Sequence, residues 1–238
     1  MGVKLPKELT KAIEVYEAIR WTEVGHTPVF DLAAVTPDNA EAKIREFADQ
    51  LALSVPVTEH NGVSVSVMEA AKRWAVNDAA TAVYRLAGSA VPSVIEQLTP
   101  EFAKHARAYV EAVAMLPDEI TAETLVSAGA DAVQAYAVAQ SEAAYLNKVS
   151  SWVAGTRELP GHTSDPNPTL RILRPVSAFQ LIKLDEAHHE QSNTLRAIDP
   201  VFVVAARLGV EFGINTLREA GEIRSALAIR PQKLQPTA

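Results

Sequence analysis

The chain is 238 residues long, 48% apolar and 21% charged, with a net charge of −7 and no cysteine. That length buries most of its apolar surface without covalent staples, and that composition excludes disorder as the ground state. Without cysteine there are no disulfides, thiolate metal sites or cysteine nucleophiles, and the acidic balance brings no broad attraction to phosphate backbones or anionic membranes.

The opening MGVKLPKELTK lacks the apolar core of a signal peptide and reads as the start of a helix near 6–22 in a cytoplasmic protein. Thr36-Pro37-Asp38 places a capping oxygen before a proline at a first helical position, which predicts a second helix near 37–53. Ser54-Val-Pro-Val-Thr58 and Val63-Ser-Val-Ser-Val67 alternate about the turn signal His60-Asn61-Gly62. A small hairpin is therefore expected near 54–66, with Pro56 confining its strand to an edge.

Ser66 and Glu69 have capping-box spacing and open a helix near 67–87. Its apolar stripe is Val67, Ala71, Trp74, Ala75, Ala79, Ala82, Val83 and Leu86, and Gly88 is placed to end it. A short helical turn follows near 92–98. Thr99-Pro100-Glu101 then predicts a helix near 100–116.

The segments EAAKRWAV (69–76) and VYRLAGSAVP (83–92) resemble the helix-turn-helix of excisionase-type and related small DNA-binding domains. The resemblance spans 65–92. It implies a DNA-binding regulator in which Tyr84 and Arg85 contact base or phosphate, with Lys72 and Arg73 completing the local basic set. The chain departs from that pattern in the connection 77–82, which is longer, and at Ala75, where a turn glycine often stands. The apolar stripe also continues through the connection.

Residues 121–154 are expected to form one helix, bending at Gly129. Ser127, Gln134, Ser141 and Lys148 recur every seven residues and make a narrow polar stripe. Beside it runs a line of small side chains, Ala130, Ala137, Ala144 and Ser151. A helix apolar around most of its circumference belongs in a core or a subunit interface. A membrane is excluded as the cover, because Asp131 and Glu142 would lie within the span at roughly 2.5–3.5 kcal/mol each.

Residues 155–175 contain Pro160, Pro166 and Pro168 and show no periodicity, so a mobile connection or a functional loop is expected. Its Arg157, Arg171 and Arg174 follow a stretch, from Arg107 to Lys148, with six acids and no base between its ends. These arginines are candidate contacts to that acidic surface, on the same subunit or a neighbour.

A helix near 177–198 carries Asp185-Glu-Ala-His-His-Glu190, in which Glu186 and His189 have the spacing of helical-bundle metal sites. The only comparable sequence is Glu23-Val-Gly-His26. Asp199-Pro200 opens a last helix near 200–230 with a second small-residue line, Ala205, Gly209 and Gly213. That line reads either as a close helix–helix approach or as a break near Gly213. The tail from Pro231 is expected to fray.

The expected fold is all-α, an antiparallel bundle of six to eight helices with at most one small hairpin near 54–66. It forms a single domain over 1–238, with sub-divisions at 1–154, 155–175, 176–230 and 231–238. No phosphate loop, dinucleotide fingerprint or nucleophile motif is present, so no cofactor is expected. The leading expectation is a non-enzymatic structural or interaction protein, a homo-oligomer using Ala130, Ala137, Ala144, Ser151, Ala205, Gly209 and Gly213. The alternatives are a DNA-binding regulator using 65–92 and a metal-binding bundle using Glu186 and His189.

Overall fold

The computed structural model describes residues 2–24, 28–60, 63–162 and 167–229. It is an all-α bundle with a small hairpin, and its residues group into two compact units, 6–86 and 87–238 joined by 1–5. The boundary between the units lies inside one helix, not at residue 155.

The first unit contains α1 (Lys7–Trp21), α2 (Ala40–Ser54), β1 (Pro56–His60), β2 (Val63–Ser66) and the beginning of α3 (Val67–Ala114). α2 starts later than Thr36-Pro37 suggested. The Asn39 carboxamide accepts from Thr36 N–H and donates to the Ala34 carbonyl, holding 34–39 as a turn before the helix. β1 and β2 pair antiparallel with Thr58 opposite Val65 and His60 opposite Val63, as the alternation predicts. Asn61 and Gly62 of the expected turn lie outside the described residues. Glu69 accepts from Ser66 N–H, and Ser66 Oγ accepts from Glu69 N–H at 3.2 Å, so the capping box forms as read.

α3 is the main correction to the sequence reading. One 48-residue helix replaces the three segments expected at 67–87, 92–98 and 100–116. Thr99 does not cap a new helix; its hydroxyl donates to the Ile95 carbonyl at 2.8 Å, as interior threonines do. Pro92 and Pro100 are both internal. Pro92 has no N–H for the Gly88 carbonyl four residues back, and His162 Nε2 donates to that oxygen instead, at 3.1 Å. Gly88 therefore does not end a helix. A Cβ there would lie 2.7 Å from the Pro160 carbonyl oxygen, so glycine is needed for close approach.

The second unit continues with α4 (Ala122–Ala128), α5 (Ala130–Gly155), β3 (Leu173–Arg174), α6 (Ala178–Ala187), α7 (Asn193–Ala197), α8 (Pro200–Arg207), β4 (Glu211–Phe212) and α9 (Leu217–Ile229). Gly129, at φ 97°, separates α4 from α5 where a bend was expected. Moving along α3 from Gly88 to His105, the facing residue moves back from Pro160 to Glu142, so the two segments run antiparallel.

Their shared core contains Leu98, Phe102, Tyr109 and Val113 of α3 with Ala139, Ala143, Leu146 and Val149 of α5. Tyr109, Phe202 and Phe212 close a triangle of ring contacts about 6 Å on a side, and Tyr109 donates to the Ile198 carbonyl at 2.7 Å. Arg207 ties down the connection after α3 by donating to the carbonyls of Pro117 and Asp118.

The segment 155–175 is not a loose connection. A 3-10 turn at Thr156–Glu158 follows α5, and another at Pro168–Arg171 leads into β3. Ile172 and Leu173 belong to the same core, and Leu170 is buried as well. Ser164, Asp165 and Pro166 lie outside the described residues.

The expected helix 177–198 divides into α6 and α7, each opened by a serine cap. The expected helix 200–230 divides at Gly209, at φ 64°, before β4 pairs with β3. Of the two readings of 205/209/213, the structure has the break, which begins at Gly209 rather than Gly213. The tail from Pro231 lies outside the described residues.

Candidate functional site

α5 turns Ala132, Ala135, Ala139, Ala143, Leu146, Val149 and Val153 into the core. The heptad line Ala130, Ala137, Ala144 and Ser151 lies on the opposite side and is exposed along its length. Ser127, Gln134, Ser141 and Lys148 are exposed beside it. Among the exposed side chains of α5, only Asp131 and Lys148 carry charge. Val126 of α4 is 74% exposed, and Val133 is exposed as well. The result is a smooth, nearly uncharged outer face more than five helical turns long.

One edge of this helix pair carries a cluster that the sequence did not reveal. His105 Nδ1 lies 2.5 Å from Glu142 Oε2. A carboxylate only accepts, so Nδ1 carries the hydrogen and Nε2 is directed toward Glu101, 3.9 Å away. The imidazole stacks on Tyr145 at 3.8 Å between ring centroids, with the planes 22° apart. Burial first, and the negative charge of Glu101 second, raise the pKa of the Tyr145 phenol. Glu101, His105, Glu142 and Tyr145 thus clasp α3 to α5. Glu101 could be paired with His105 from their spacing, but Glu142 is far away in the chain and required the helix pairing to find.

A second polar centre joins Arg174 to Asn215. Arg174 Nε donates to Asn215 Oδ1 at 2.7 Å, Nη1 to Glu211 at 2.9 Å, and Nη2 to the Ile214 carbonyl at 3.1 Å. Asn215 is buried and donates to the carbonyls of Leu170 and Leu173. The guanidinium lies over Gly213, where a Cβ would meet Arg174 Cζ at 2.7 Å.

That geometry corrects the second small-residue line. Gly213 makes room for Arg174, Gly209 sits at the helix end, and Ala205 is fully buried in its own chain. Two of the three arginines expected to contact the 107–148 acids pair with other carboxylates: Arg174 reaches Glu211 and Arg157 reaches the adjacent Glu158. The Arg171 carbonyl accepts from Asn215 N–H.

The helix-turn-helix expected over 65–92 is corrected too. Residues 67–92 belong to one uninterrupted helix, so no turn interrupts 77–82, although Trp74 of the expected apolar stripe is exposed. Tyr84, Arg85 and Arg73 are exposed on α3, while Lys72 Nζ donates to the Thr22 carbonyl at 2.6 Å.

Glu186 and His189 do not form the helical pair expected of a bundle metal site. α6 ends at Ala187, His189 lies in the following turn, and Glu186 is bound to Lys183 at 2.7 Å. Among the described residues no group of three or more His, Asp or Glu side chains has a metal-holding arrangement. Gly25 and His26 of the comparable sequence lie outside the described residues. Among the described residues no helix is long and apolar enough to cross a membrane.

Comparisons of the chain with family models, with curated proteins and with solved structures find no match.

Proposed function

We propose that the protein is a non-enzymatic interaction protein that assembles with copies of itself through the outer face of α5. Ala130, Ala137, Ala144 and Ser151 form the seam. The supporting observation is that this whole line is exposed while Ala132, Ala135, Ala139 and Ala143 of the same helix are buried.

Small side chains let a second helix approach closely, and a heptad repeat keeps the line facing a partner helix over many turns. With Asp131 and Lys148 the only exposed charges of α5, covering the face desolvates little charge. A cysteine-free chain suits the reducing cytoplasm.

Light scattering on the purified full chain tests the reading. The expected result is an oligomer whose mass falls on Ala137→Glu, which places a charge at the centre of the seam. A strict monomer at high micromolar concentration overturns it.

A further inference from the structure

Between the segment 29–34 and α2, the first unit holds a cleft of about 170 Å³. Pockets for drug-sized ligands run to roughly 300–1,000 Å³, so this one suits a molecule of only a few non-hydrogen atoms. Local bonds fix both walls. Asp31 Oδ1 accepts from Ala33 N–H at 3.0 Å and opens a 3-10 turn at Leu32–Ala34. Asn39 holds the turn that follows, and α2 forms the other wall. Phe30 of the first wall meets Phe47 of the second, with ring centroids 5.1 Å apart and planes at 60°, so the cleft has an aromatic corner.

The charges lining the cleft do not cancel. Asp31 and Glu46 bring two carboxylates, and Lys43 is the single cation among the lining residues. Lys43 Nζ donates to Glu46 Oε2 at 2.8 Å. The hydrogen bond and charge of Glu46 first, and the charge of Asp31 after them, raise the Lys43 pKa, so the ammonium stays charged and committed to Glu46. Arg45, the next cation along α2, is held by Glu41 at 2.6 Å. Among the described residues, no cation lies within ion-pair distance of Asp31.

One carboxylate is thus left without an ion-pair partner beside two phenyl rings. A negative charge and the faces of aromatic rings attract the same kind of ligand, an organic cation. An anion would meet one more carboxylate than ammonium. A hard metal ion needs several oxygen ligands, and the rings supply none. We propose that the cleft binds a small alkylammonium ion, with its charge at Asp31 and its alkyl groups against Phe30 and Phe47. The site uses no residue of the α5 seam and goes beyond that reading.

Choline is the probe, and the uncharged alcohol in which carbon replaces the choline nitrogen is the control. Each is titrated into the full-length chain and followed by amide NMR. Choline should give saturable shifts at residues 29–34 and 43–50, and the alcohol should bind several-fold more weakly. Asp31→Asn keeps an oxygen for Ala33 N–H but removes the charge, so choline affinity should fall several-fold with an unchanged circular dichroism spectrum. Glu46→Gln should weaken binding as well, because the released Lys43 then turns to Asp31. Phe47→Leu keeps apolar volume without a ring face and should also lower the affinity. The proposal is overturned by the absence of saturable shifts at millimolar choline, by equal binding of the alcohol, or by native affinity in both Asp31→Asn and Glu46→Gln.

Discussion

His162 donates through Nε2 to the carbonyl of Gly88, the oxygen that Pro92 cannot serve. One residue far along the chain thereby supplies the hydrogen bond missing from the middle of a 48-residue helix. Removing the imidazole leaves a buried acceptor unsatisfied, at about 1–3 kcal/mol. His162→Ala should lower unfolding stability in urea by that order. In a Pro92→Ala background, where residue 92 has its own N–H, the same substitution should cost clearly less. Equal costs in both backgrounds would show that the two features are not coupled.

Gly88→Ala places a methyl group 2.7 Å from the Pro160 carbonyl oxygen. A rigid backbone atom cannot retreat as a flexible side chain can, so overpacking of about 1–3 kcal/mol is expected despite alanine's better helix propensity. A lower thermal midpoint for Gly88→Ala is the predicted outcome; a rise would mean that 160 moves freely.

Asn215→Ala removes both donors to the Leu170 and Leu173 carbonyls and the acceptor for Arg174 Nε. Buried carbonyls left without partners place the expected loss at about 3 kcal/mol or more. Chemical denaturation of the variant, compared with Arg174→Ala, should show the asparagine to be the costlier loss. Arg174 is half-exposed and its carboxylate partner Glu211 is more so.

Tyr109 is fully buried, and burial first and the negative charge of Asp199 second hold its phenol well above the ordinary value. The unfolded phenol ionises near pH 10 and the folded one does not. Its contribution is fully present below pH 10 and is lost as pH rises from there toward the folded value. In that window the unfolded state binds fewer protons, so stability falls by about 1.4 kcal/mol per pH unit. Tyr109→Phe should flatten this alkaline slope in urea melts between pH 9 and pH 11. At neutral pH it should cost about 1 kcal/mol for the lost bond to Ile198.

Asp199 is the one non-glycine residue at positive φ among the described residues, 64°, and it also caps α8 through Val201 and Phe202 N–H. Asparagine tolerates that backbone and keeps a capping oxygen, whereas alanine does neither. Thermal melts should rank Asp199→Asn within about 0.5 kcal/mol of the native chain, with Asp199→Ala about 1–3 kcal/mol lower. Equally large losses for the two variants would show that the carboxylate's bond from Asn147 outweighs the backbone.

The sequence alone determined the all-α class, the hairpin near 54–66, the Ser66–Glu69 capping box and a bend at Gly129, because each depends on residues within a few positions of one another. Local signals failed where distant atoms supplied what the chain lacked. Pro92 and Thr99-Pro100 look like helix boundaries until His162 and the back-bonded Thr99 hydroxyl keep α3 continuous. Gly213 looks like a helix seam until Arg174 lies across it. The Glu142 partner of His105 was invisible because only the antiparallel packing of α3 on α5 brings them together. The heptad spacing of Ala130, Ala137, Ala144 and Ser151 showed that they share one line. Which way that line points was decided by the tertiary structure, because the alanines at 132, 135, 139 and 143 are equally apolar and only one set can face α3.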